Sequence, residues 1–226
     1  MKRLSILTRA HRFLALVIGI QVLFWTASGL FFTIWPIEEI RGEHLLKPKL
    51  ETFAPASGFA ALDMLTDAPI QSAHLDRMGE TWTWRLTTPG GPLLVDAQTG
   101  ERLNPLTKAK ATELVNARWA GAARLVDMVW IIDPPREYFR PGPAWRAEFS
   151  DNTRLYVNPE TGEARVVRTD LWRAFDVMWR FHIMDFTGDD RFDSWWMTLT
   201  ALGAVLLTLA GFFLLGSRAR RGMLFR

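Results

Sequence analysis

Hydrophobic positions fall into two unbroken runs, separated by shorter stretches in which apolar and polar residues alternate. From Phe13 to Trp35 the segment FLALVIGIQVLFWTASGLFFTIW has 23 residues without a charge, and WWMTLTALGAVLLTLAGFFLL, from Trp195 to Leu215, has 21. An α-helix needs roughly 20 residues to cross a hydrocarbon core. Trp35 closes the first run, and Trp195 and Trp196 open the second, where amphipathic rings favour the interface. The pattern predicts transmembrane helices over 13–35 and 195–215. A signal-peptide core is about 7–15 residues long. The first run outlasts that and continues past Ala27-Ser28-Gly29 through Phe31, Phe32 and Trp35, so it reads as an uncleaved anchor.

Between the runs, SGFAALDMLTD (Ser57 to Asp67) places Phe59, Leu62 and Leu65 at helical spacing behind a candidate Ser57 cap. TWTWRLT alternates Trp82, Trp84 and Leu86 as a strand does. A second stretch runs in the same order: TKAKATELVNARW as helix, then ARLVDMVWII and WRAEFSDNTRLYV as strands. DPPREYFRPGP, inserted between those strands, makes this stretch longer, and its prolines exclude regular pairing within the insert. Each stretch ends on one phrase, LLVDAQTGERL and then LYVNPETGEARV, with Asp96 and Asn158 62 positions apart. In each copy Asp or Asn can accept from a backbone N–H two residues on, and Gly100 or Gly162 supplies a left-handed turn, so each reads as a hairpin. Recurrence at that spacing predicts an internal repeat.

The charges orient the chain. Lys2, Arg3, Arg9 and Arg12 precede the first run, and Arg218, Arg220, Arg221 and Arg226 follow the second, with no acid in either tail. The positive-inside rule then puts both termini in the cytoplasm and the middle outside. The formal charge is +3, but without those eight residues 19 basic face 24 acidic, a balance of −5. The basic character belongs to the membrane flanks and gives no support for nucleic-acid binding. Cysteine is absent, which excludes disulfides, thiolate metal sites and covalently attached haem.

A helix followed by strands that close on a D-x-x-T-G-E turn resembles the PepSY module. With AHRFLALVIGIQVLFWTASGLFF and FHIMDFTG beside the membrane, the chain resembles the PepSY-associated membrane-protein family over nearly its whole length. The resemblance implies extracytoplasmic modules, and in some family members it implies iron uptake through haem-dependent reduction. Those reductases have more membrane helices than the two predicted here.

Three of the four histidines sit near the membrane boundaries. His182 would share an apolar stripe with Leu171, Phe175 and Met178 if 169–184 is helical. His44, in IRGEHLL, lies on the same side and is its natural axial partner for a haem b. His11 is the weaker candidate, flanked by Arg9 and Arg12, and His74 falls in a predicted strand. The acidic TGDDRFDS lacks the ligand spacing of a calcium loop. Gln21, polar within the first run, calls for a helix partner. Small residues (Ala15, Gly19 and Thr26; Ala201, Ala204, Thr208 and Gly211) suit close pairing of the helices with each other, a second copy or a partner protein. No dinucleotide, P-loop, zincin or nucleophile-elbow motif occurs.

The expected architecture is an α+β membrane protein with a tandem PepSY-like domain between two transmembrane helices. Its parts are tails at 1–12 and 216–226, membrane helices at 13–35 and 195–215, a linker at 36–56, repeats at 57–104 and 105–168, and an interfacial helix and loop at 169–194. The expected role is a non-catalytic binding, scaffolding or regulatory subunit in a bacterial cytoplasmic membrane. The alternative is a haem b electron carrier ligated by His44 and His182.

Overall fold

A computed structural model describes residues 2–48, 58–188 and 194–220. The elements in chain order are α1 (Lys2–Ile34), α2 (Ile37–Ile40), β1 (Ser72–Met78), β2 (Thr81–Thr88), β3 (Gly91–Asp96), α3 (Lys108–Arg118), β4 (Leu125–Ile131), β5 (Ala144–Phe149), β6 (Arg154–Val157), β7 (Ala164–Arg168), α4 (Asp170–His182) and α5 (Trp195–Arg220). The chain is α+β and divides into two compact units: 1–36 with 174–226, and 37–173.

The first unit holds α1 and α5, whose spans His11–Ile34 and Trp195–Arg220 are long and apolar enough to cross a membrane. Among their most apolar windows, 17% of the first and none of the second is buried by protein. A core helix of a soluble protein would be covered; these surfaces suit lipid. The two helices pack antiparallel. The Ile18 side chain lies where a Cβ on Gly203 would sit, at 2.6 Å, and His11 lies 3.8 Å from the Cβ position of Gly211. Gly211 therefore stands at the contact that its small size suggested. Gly19 does not, since nothing approaches within 4 Å of its Cβ position, and Gly203 receives the knob instead. Thr26 and Thr208 satisfy their hydroxyls on Val22 and Ala204, one turn back.

The second unit contains two antiparallel meanders, β1-β2-β3 and β4-β5-β6-β7. Thr107 caps α3 by accepting from the Lys110 amide, and the helix buries Ala111, Leu114 and Val115. A single cluster joins Met78 and Leu94 of the first sheet to these residues and to Met128, Ala147, Leu155, Val157 and Val167 of the second. The two sheets therefore share one core. The helix expected at 57–67 is shorter: the described part holds only a 3-10 turn, Leu62–Met64, and Ser57 lies outside the described residues. A single apolar turn with Pro69 soon after cannot propagate an α-helix. Most of the TGDDRFDS run, 189–193, also lies outside the described residues.

The repeated phrase folds the same way twice. Oδ1 of Asp96 accepts from the amides of Gln98 and Thr99, and Oδ1 of Asn158 accepts from those of Glu160 and Thr161. The Gly100 amide donates to the Asp96 carbonyl and the Gly162 amide to that of Asn158, each at 2.9 Å. Both glycines have positive φ, 76° and 64°. The second copy joins β6 to β7 as a full hairpin. The first returns through the Asp96 amide, which donates to the Glu101 carbonyl, the Val95–Arg102 bridge and the Leu103 amide, which donates to the Leu94 carbonyl. Pro105 then ends the pairing because it has no N–H. The buried Asn104 amide completes the edge: its Oδ1 accepts from the Leu94 amide, and its Nδ2 donates to the Pro92 carbonyl and to Glu160 in the other turn.

The turns differ in what surrounds them. A Cβ on Gly162 would meet Met78 at 3.1 Å and Leu94 at 3.2 Å, whereas one on Gly100 meets only Leu65 at 3.4 Å. Both substitutions to valine should destabilise the second unit by about 1–3 kcal/mol through positive φ. Gly162→Val should cost about 1–3 kcal/mol more through overpacking. Denaturant unfolding of the full chain checks the order; equal losses would contradict it.

Candidate functional site

Gln21, Trp25 and Ser28 recur at i, i+4 and i+7, which puts three polar groups on one face of α1 within its apolar run. Their partners come from the end of α4. That helix stops in a Schellman arrangement, with Asp185 donating to the Arg180 carbonyl at 2.9 Å, Met184 donating to that of Phe181, and Met184 at φ 53°. The last turn still has carbonyls facing α1. Gln21 Nε2 donates to the Phe181 carbonyl at 3.0 Å and Trp25 Nε1 to the His182 carbonyl at 2.6 Å. Gln21 thus finds the helix partner its position called for. Trp25 and Ser28 were not singled out in the sequence, although the same spacing would have found them.

Ser28 holds the His182 ring by its Nδ1. Its hydroxyl donates to the Phe24 carbonyl at 2.6 Å, so its oxygen accepts from His182 Nδ1 at 2.8 Å. This geometry suits the tautomer with the proton on Nδ1, in which Nε2 presents a bare lone pair. Among the described residues nothing bonds Nε2. The ring stacks on Trp179 at 6.2 Å and meets the edge of Phe32 at 5.5 Å. Phe24 stacks on Phe181 at 4.9 Å, and Phe32 contacts Phe175 at 5.1 Å. Of the expected stripe of Leu171, Phe175, Met178 and His182, Phe175 and His182 both meet the Phe32 ring of α1.

The other histidines lie elsewhere. His44 is exposed in the 3-10 turn Glu43–Leu45 of the second unit, so the two nominated axial ligands belong to different units. His11 lies on α1 with its Nδ1 buried and without a hydrogen-bond partner. Seventeen residues separate it from Ser28, roughly 25 Å along the helix, too far for one haem to bridge His11 and His182. His74 is exposed in β1. No group of three or more His, Asp or Glu suited to a metal ion occurs among the described residues.

The second unit has its own polar network, built by the proline-rich insert. The 3-10 turn Arg136–Tyr138 places Glu137 to accept from the Tyr156 hydroxyl at 2.6 Å and from Arg154 at 2.9 Å, with Arg173 at 3.6 Å. Arg168 donates to the Glu137 carbonyl and lies 4.0 Å over the Trp172 ring. Burial alone would raise the Glu137 pKa, but the Tyr156 hydroxyl and the two guanidinium groups outweigh it and hold the carboxyl low. Burial first, and then the adjacent carboxylate, push Tyr156 up to about 12. The Glu137 carboxylate is thus met by Tyr156, Arg154 and Arg173 together, which marks the network as a clamp on the insert.

No known protein family, curated protein or solved structure matches this chain.

The clamp should be visible in the pH dependence of stability. The depressed Glu137 contributes stability above the ordinary glutamate range, lost as pH falls through it; the raised Tyr156 contributes stability below about 10, lost as pH rises towards 12. Thermal melts should show both arms, Glu137→Gln should flatten the acid one and Tyr156→Phe the alkaline one. Unchanged profiles would contradict the assignment.

Proposed function

We propose that the chain is a membrane-anchored, tandem PepSY-like protein whose middle unit binds and regulates a partner at the outer face of a bacterial cytoplasmic membrane. Both termini lie in the cytoplasm, and α1 and α5 hold the module at the bilayer. The observation that carries this reading is the doubled Asx turn, closed by the same hydrogen bonds in both copies and locked by Asn104 to Glu160. Such a body spends its polar groups on internal order and offers its partner a rigid surface. Exposed apolar side chains supply contact points: Val126 at 62%, Ile132 at 78% and Phe139 at 48% exposure. A photo-crosslinking residue placed in turn at these three positions in the full-length protein in cells should yield one discrete protein adduct. Gly162→Val should remove that adduct. Labelling of lipid alone at all three positions would count against the reading.

The second reading, a haem b electron carrier, is favoured by the Ser28–His182 pair. Metal-bound histidines commonly donate their other ring N–H to a fixed acceptor, and Ser28 gives His182 that arrangement. Phe32 and Trp179 supply rings to cover a porphyrin. Haem, when bound, supplies one-electron chemistry. The second axial ligand is His44 or a residue of another chain, because His11 is out of reach. Protein expressed with ample haem and purified in detergent should show a split low-spin spectrum on reduction, abolished by His182→Ala and weakened by Ser28→Ala. A colourless preparation would remove this reading and leave the first untouched.

A further inference from the structure

Beside its contact with α1, α4 carries a cation that has no partner among the described residues. Val177, Arg180 and Phe181 recur at i, i+3 and i+4, and with Asp185 and Phe186 they line an open cavity of about 150 Å³ whose wall is mainly apolar. Arg180 Nε is buried without a hydrogen-bond partner, and no ion pair engages this guanidinium among the described residues. Asp185 lines the same cavity, but its Oδ1 is committed to the turn, accepting from the Gly188 amide at 2.7 Å and the Thr187 hydroxyl at 3.3 Å. Phe186 is 63% exposed, and Val177 and Phe181 are also open. In water that combination is doubly unfavourable, with a half-covered, unpaired guanidinium and a greasy wall.

At a bilayer surface both features find a match. The guanidinium fork suits two oxygens of a phosphate, and an apolar wall suits the first methylenes of an acyl chain. We propose that this cavity is a phospholipid site, in which Arg180 donates to the headgroup phosphodiester and acyl chains lie over Val177, Phe181 and Phe186. The same unit carries α1 and α5, whose surfaces suit lipid. Inorganic phosphate is a poorer occupant. It gains nothing from the aromatic wall.

Native mass spectrometry of the full-length protein in detergent, titrated with phosphatidylglycerol, tests this. One lipid per chain should be retained. Arg180→Gln should lower its occupancy on the order of tenfold, the scale of a lost charge-assisted hydrogen bond, and Arg180→Lys should retain part of it. A glycosyl diacylglycerol with the same acyl chains should bind as weakly to the unaltered protein as phosphatidylglycerol does to Arg180→Gln. Millimolar inorganic phosphate should neither displace the lipid nor raise the Tm. Equal retention by Arg180→Gln, equal binding of the sugar lipid, or displacement by inorganic phosphate would each overturn the proposal. Should Arg180→Gln fail to fold, Phe186→Ala decides: reduced occupancy supports the site, and unchanged occupancy overturns it.

Discussion

A helix that ends beside an apolar surface must dispose of its last carbonyls, and in the membrane-helix unit that requirement fixes α4. Water is scarce along an apolar run, and an unsatisfied carbonyl there costs several kcal/mol. α1 answers with Gln21 and Trp25, which take the Phe181 and His182 carbonyls, while Ser28 holds the His182 ring. Each such bond contributes modestly, about 0.6–2 kcal/mol within membranes. Their joint effect is positional. They set where along α1 the end of α4 lies, and so where the aromatic contacts of Phe24 and Phe32 form. Further along α1, Ile18 and His11 meet Gly203 and Gly211 of α5. α4 and α5 thus occupy successive lengths of the same helix.

The second unit solves a different problem. Two short sheets could each bury only one face, and three or four strands make a thin core. One cluster shared across both sheets, with α3 among its members, takes residues from every strand but β2, which buries Thr83 and Leu86 outside it. The Gly162 turn packs against Met78 and Leu94 of the first sheet, and Asn104 reaches Glu160 of the second turn. Each copy of the repeated phrase therefore shapes its own turn and also helps fasten the two sheets.

Much of this was legible in the sequence. Unbroken apolar length marked α1 and α5, alternation marked β2, and the Asx–Gly phrase marked both turns, because each signal comes from neighbours along the chain. Positions set by tertiary contact were less readable. Gly19 and Gly203 both look like packing glycines, and only the rotation of one helix against the other selects Gly203. A helix over 57–67 had the right spacing, yet spacing does not supply the length that nucleation demands. Ser28 looked like part of a small-residue stretch; its hydroxyl gains a role only when α4 brings His182 within 2.8 Å. The clamp around Glu137 was hidden for the same reason, since Arg154, Tyr156, Arg168 and Arg173 converge from β6, β7 and α4.

Asn104 has a chemical consequence beyond its hydrogen bonds. It works as a surrogate strand, using its amide oxygen as acceptor and its amide nitrogen as donor, and an aspartate would lose the donor and face Glu160 with a second charge. Asparagine normally ages into aspartate when the backbone nitrogen of the next residue attacks the side-chain carbonyl to form a cyclic imide. Here the next residue is Pro105, whose nitrogen carries no hydrogen and cannot close that ring to a stable imide. The proline that cuts the first hairpin short thus also shields the amide that replaces the missing strand, and this joint is protected against slow chemical decay.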